Sequence, residues 1–215
     1  CWPWSRHPIQ RQFVGLLVTA TEVVPVKVFA ERFDLVAQRD AFAAAELRGG
    51  ASGRELMVSI AAGAELMSRI GVALKRVEVG YTEAKPQPTQ MPGFFASALS
   101  ASRMLKFDAL QIHSALGLAF MQASGGRQPV LDGRPAKAIY AAFSNQGGMQ
   151  AALLTREGLL GDCDVFEGKA GYFPTYYDGA FSSGEMRRQL RGGGLRFGEH
   201  LDIARYTRAT DTQRM

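Results

Sequence analysis

Cysteine and histidine are scarce in this chain. Its 215 residues hold two cysteines, Cys1 and Cys163, and three histidines, His7, His113 and His200. Two cysteines so far apart exclude a disulfide framework and a thiolate metal cluster. Three scattered histidines lack metal-ligand spacing, so no metal site is expected. Long apolar runs are also lacking. The most apolar, FVGLLVTATEVVPVKVF (13–29), is interrupted by Glu22, Pro25 and Lys27 and is too short to span a bilayer. Residues 1–20 could be read as a signal peptide, but no clear cleavage signature follows them. A soluble, cytoplasmic protein with no membrane partner is expected. Finally, the body lacks a strong charge of one sign. The net charge is +5. Residues 1–184 carry 18 Lys and Arg against 16 Asp and Glu, whereas residues 185–215 carry seven Arg against four acids. The basic balance is mostly a tail property, so no nucleic-acid partner is expected of the body.

What is present is a series of Ala- and Gly-rich segments with helical spacing. Ser52 and Glu55 form an S-x-x-E capping box, and Leu56, Ile60, Ala64, Met67, Ile70 and Leu74 follow on one face. KPQPTQMPG (85–93) holds three prolines and reads as a loop. After Pro92 and Gly93, Phe95, Ala98, Leu99, Ser102 and Leu105 can share a face. Asp108 caps a third helix, with Gln111 three residues later and a face of Leu110, His113, Leu116, Gly117 and Phe120. ASGGRQPVLDG (123–133) reads as a loop. Pro135 suits the first turn of a fourth helix that runs to about Glu157 and stops at Gly158. Its expected packing face is Ile139, Phe143, Gln146 or Gly147, Gln150 and Leu154. The predicted helices are 53–75, 93–105, 109–122 and 135–157. Four such helices with short joints indicate an all-α domain. GYFPTYYDGAF (171–181) reads as an aromatic loop, and the Gly- and Arg-rich residues 185–215 as a poorly ordered tail.

Four stretches resemble, in order, the MmgE/PrpD family. They are GASGRELMVSIAAGAELMSRIG (50–71), PTQMPGFFASALSASRMLKFDALQIHSALGLAFMQASG (88–125), LDGRPAKAIYAAFSNQGGMQAALLTREGLLG (131–161) and VFEGKAGYF (165–173). The family includes 2-methylcitrate dehydratase, cis-aconitate decarboxylase and iminodisuccinate epimerase. The resemblance implies a large helical domain followed by a smaller α+β lid, the latter largely absent from this chain. The division expected is a segment without family resemblance (1–44), a helical domain (45–184) and the basic tail (185–215). The implied activity is that of a lyase acting on small polycarboxylates without an organic cofactor. Proton transfer beside a carboxylate is coupled there to loss of water or carbon dioxide, or to epimerisation. A homodimer is also implied. Such a substrate is held by cations and hydrogen-bond donors, and fixed positive charge stabilises the carbanion-like transition state.

Asp132, Gly133 and Lys137 match the family's D-G-x-x-x-K segment, which makes Lys137 the candidate catalytic cation. Where the family commonly has His-Pro-Thr, this chain has Gln87-Pro88-Thr89. Gln87 is then a candidate substrate contact that cannot take a proton near neutral pH. The upstream Asp-rich motif is missing, and His7-Pro8 lies too far from Gly50 to supply it. These departures suggest truncated or frame-shifted coding. They keep open a catalytically silent helical fragment serving as an interaction or oligomerisation module. Other residues offer less. Tyr81 and Glu83 read as surface groups and His113 as a core histidine, while packing accounts for Tyr172, Tyr176 and Tyr177 as well as substrate contact does. RGGGLRFG (191–198) is similar to RNA-binding Arg/Gly segments, but one copy carries little weight.

Overall fold

The computed structural model describes residues 35–74, 90–162, 164–179 and 181; of residues 35–37, 72 and 137 only the backbone is described. The helices are α1 (Leu35–Leu47), α2 (Gly53–Ala73), α3 (Gln90–Met104), α4 (Ala109–Gln122), α5 (Gln128–Leu131), α6 (Tyr140–Arg156) and α7 (Tyr172–Tyr177), with a 3-10 turn over Pro135–Ile139. Among the described residues the one extended pairing is an isolated antiparallel bridge between Leu74 and Phe181. The domain is all-α, as expected.

Both capping boxes form. Glu55 N donates to Ser52 Oγ at 3.3 Å while Ser52 N donates to Glu55 Oε2 at 2.8 Å. Gln111 N donates to Asp108 Oδ1 at 2.8 Å while Asp108 N donates to Gln111 Oε1 at 3.0 Å. Each box satisfies N–H groups that the first turn leaves unpaired. Helix α3 begins at Gln90, three residues ahead of the expected start. Pro92 falls within its first turn, where a missing N–H breaks no helical bond.

Helix α3 is the axis of the domain. Every residue of it except Arg103 is buried, and α1, α2, α4 and α6 pack around it. Its ASALSAS run provides the room, because Ala and Ser let neighbouring backbones approach. Two of its three serines tie neighbours to it: Ser100 Oγ donates to Ser59 O of α2 at 3.0 Å, and Ser97 Oγ to Asn145 O of α6 at 3.3 Å, while the buried Ser102 Oγ has no partner among the described residues. From α6, Ser144 Oγ donates to Gln90 O at 2.8 Å.

The structure corrects the expected faces of two helices. In α6 the buried side is Ser144, Gly147, Gly148, Ala151, Ala152 and Thr155. Ile139 and Phe143 are each 48% exposed, and Gln150 is exposed too. The cause is the short distance to α3. A Cβ at Gly148 would lie 2.0 Å from Ser97 Oγ, and one at Gly147 would lie 2.4 Å from the Phe94 ring. Large side chains have no space on that side and turn outward. In α4, Leu110 is 58% exposed and His113 half-buried, while Ile112, Ala115, Leu116 and Ala119 form the core face.

One helix start and two loop assignments also change. Residues 135–139 form a 3-10 turn, so the fourth long helix begins at Tyr140 and not at Pro135. Residues 128–131 of the expected loop make one helical turn, with Pro129 in its opening turn. The aromatic segment is helical over Tyr172–Tyr177 and docks on the body. Tyr172 lies 5.3 Å from Phe95 and 5.2 Å from Phe173, centroid to centroid, both edge-on. Tyr172 and Phe173 are fully buried, so packing accounts for this segment.

Helix α6 ends where Gly158 was expected to stop it. Gly158 has φ +91, and Leu159 N donates to Leu154 O at 3.0 Å to close the last turn. Elsewhere an ionic knot ties three helix ends together. Arg48, just past α1, donates to Met104 O at 2.9 Å and pairs with Glu55 at 3.1 Å. Lys106, in the left-handed region at φ 63, pairs with the same carboxylate. Lys106, the Ser52 backbone and Arg48, in that order, hold the Glu55 carboxyl well below its usual range.

Candidate functional site

A cleft of about 640 Å³ opens where the start of α3, the loop after α4 and the first turns of α6 meet. That is within the range of roughly 300–1,000 Å³ common for small-molecule sites. Gln90 and Phe94 come from α3, Gln122 from the end of α4, and Ser124, Gly125 and Gly126 from the following loop. Helix α6 adds Tyr140, Phe143, Gln146, Gly147 and Gln150. The two exposed aromatic and amide positions that the α6 pattern assigned to packing, Phe143 and Gln150, are therefore cleft residues.

Several of these side chains are fixed in place. Tyr140 Oη donates to Gly126 O at 2.6 Å and pins the loop to α6. Gln122 Nε2 reaches Leu118 O and Gly147 O, each at 3.4 Å. Gln90 is 6% exposed, and its Oε1 has no hydrogen-bond partner among the described residues. Gly125 permits that placement: a Cβ there would lie 2.3 Å from Gln90 Oε1. The described lining includes no Asp, Glu, Lys, Arg or His. Amides and hydroxyls can donate to carboxylates and accept from hydroxyls over the whole physiological pH range.

Of the two residues singled out by sequence, Gln87 lies outside the described residues. Lys137 lies in the 3-10 turn, and its side chain is outside the description. Both stand three positions before a wall residue in the chain, Gln87 before Gln90 and Lys137 before Tyr140. Tyr81, Glu83 and the 191–198 segment also lie outside the described residues. Sequence reasoning missed Gln90, Gln122 and Tyr140. The available signal was a set of glutamines at 87, 90, 122, 146 and 150, in or beside two of the four stretches of resemblance, 88–125 and 131–161.

Two perturbed groups sit away from the cleft. Burial pushes the Asp40 carboxyl up to about 7, against a hydrogen bond from Ser97 and the charge of Arg39. Burial, with Tyr177 and Tyr176 beside it, likewise raises Tyr172 well above its ordinary value.

Fold and cleft together define a helical domain with an open, uncharged cleft on it. The family model described as the MmgE/PrpD N-terminal domain matches residues 40–183, and the chain belongs to the MmgE/PrpD family. It is 30% identical over 142 residues to the cis-aconitate decarboxylase-like protein oryM of Aspergillus oryzae; the match covers 63% of this chain and 29% of that protein. The chain thus spans less than a third of that relative's length. No helix among the described residues is long and apolar enough to cross a membrane.

Proposed function

We propose that the cleft binds a small polycarboxylate, and that the protein serves lyase chemistry in which a proton is moved beside a carboxylate with loss of water or carbon dioxide. Membership of the family supports the class, and a relative named as cis-aconitate decarboxylase-like supports the kind of substrate. The single observation that carries the reading is the cleft itself: an uncharged, largely apolar wall set with glutamine amides, beginning three residues after Lys137 and three after Gln87. In this reading the Lys137 ammonium holds a substrate carboxylate and offsets charge that develops on proton removal. Gln87 contributes a hydrogen bond and no proton, so the acid–base group must be another residue. Epimerisation is the alternative outcome of the same proton removal.

A second copy of the chain is the proposed partner. Leu160 is 72% exposed and Leu159, beside it, 50%. These favour self-association, which light scattering would register as twice the chain mass. The same surface favours a second reading, a catalytically silent oligomerisation module in the cytoplasm. Titration separates the two. Citrate, with three carboxylates, should bind saturably, whereas propionate should not. Absence of citrate binding would leave the module reading.

A further inference from the structure

We propose that Gln90 is a ligand-contacting residue of the cleft, its amide Nε2 donating to a carboxylate oxygen of the occupant. The inference rests on the polycarboxylate reading and names one contact within it. A side-chain amide buried to this depth ordinarily finds hydrogen-bond partners inside the protein. Gln90 is 6% exposed, yet its Oε1 has none among the described residues. A methionine or leucine would fill the same volume without that penalty. The backbone opposite accommodates the amide: Gly125 holds φ +156, and any side chain there would meet Oε1, since even its Cβ would lie 2.3 Å away. Two positions thus keep a polar group where packing alone would favour an apolar one.

The direction of the amide follows from the same contacts. Oε1 is shut away beside Gly125, so Nε2 is the polar atom of this side chain left to the cleft. It carries two donors and no charge, and it stays a donor at every pH at which a polycarboxylate is ionised. The main chain of Gln90 is also anchored, its carbonyl accepting from Ser144 Oγ at 2.8 Å. The amide is therefore presented from a rigid helix and needs little reorganisation on binding.

The test is calorimetric titration of citrate into the protein and into Gln90→Met, with melting temperatures of both without ligand. Removing the orphan acceptor should raise the melting temperature, while citrate affinity falls about tenfold, the usual scale for a charge-assisted hydrogen bond. Should methionine disturb folding, Gln90→Glu keeps the shape. Its affinity should drop further as pH rises and the introduced carboxylate ionises against the ligand. Citrate affinity equal to wild type in a folded variant of either kind would overturn the assignment and leave the polycarboxylate reading standing. No citrate binding by wild type would overturn both.

Discussion

Asp40 shows how a single residue sets a pH dependence. It is 4% exposed, at the face where α1 meets α3, and its hydrogen bond to Ser97 does not make up for lost hydration. The folded-state pKa of about 7 stands above the ordinary 3.8. Between those values the folded chain binds a proton that the unfolded chain has released. Stability from this group is therefore present below pH ~4 and is lost as pH rises towards about 7, by on the order of a few kcal/mol. Asp40→Asn should be more stable than wild type at pH 8, and the gap should close towards pH 4. Urea unfolding at both pH values measures it; a variant less stable than wild type at pH 8 would refute the buried, reluctant carboxylate. None of this was visible in the sequence, where Asp40 reads as an ordinary polar residue beside Arg39.

At the scale of the element, capping and punctuation were legible, as were the faces of α2 and α3, and those of α4 and α6 were not. Ser52, Asp108 and Gly158 act locally, through bonds to residues within five positions, so local sequence reveals them. The packing side of α6 depends on a partner helix that local sequence does not contain. A search for large apolar residues at helical spacing selected Ile139 and Phe143, whereas the true contact is a stripe of small residues against Phe94 and Ser97. The aromatic segment 171–181 reads as a loop in sequence, yet Tyr172–Tyr177 is helical, with Pro174 in its first turn, where a missing N–H breaks no helical bond. The stripe yields a direct prediction. Gly148→Ala should cost ~1–3 kcal/mol, the range for overpacking a filled site. Gly53→Ala, whose Cβ would meet nothing within 4 Å, should stay within about 0.5 kcal/mol of wild type. Equal effects in thermal unfolding would contradict the close approach of α3 and α6.

At the scale of the whole molecule, the resemblance in sequence located the family and the all-helical domain, and the fold added the cleft. Its walls come from segments more than 50 residues apart, from Gln90 to Gln150, which explains why no single motif displayed it. The motif residues Gln87 and Lys137 flank it along the chain, and the amides at 90, 122, 146 and 150 line it. The central claim is that this cleft and Lys137 together bind a polycarboxylate. Calorimetric titration of citrate into wild type and Lys137→Ala tests it most directly. The account predicts saturable binding to wild type, affinity at least about tenfold weaker in Lys137→Ala as expected for loss of a charged hydrogen bond, and unchanged melting temperature. Citrate binding of equal strength to both proteins, or none to wild type, would contradict it.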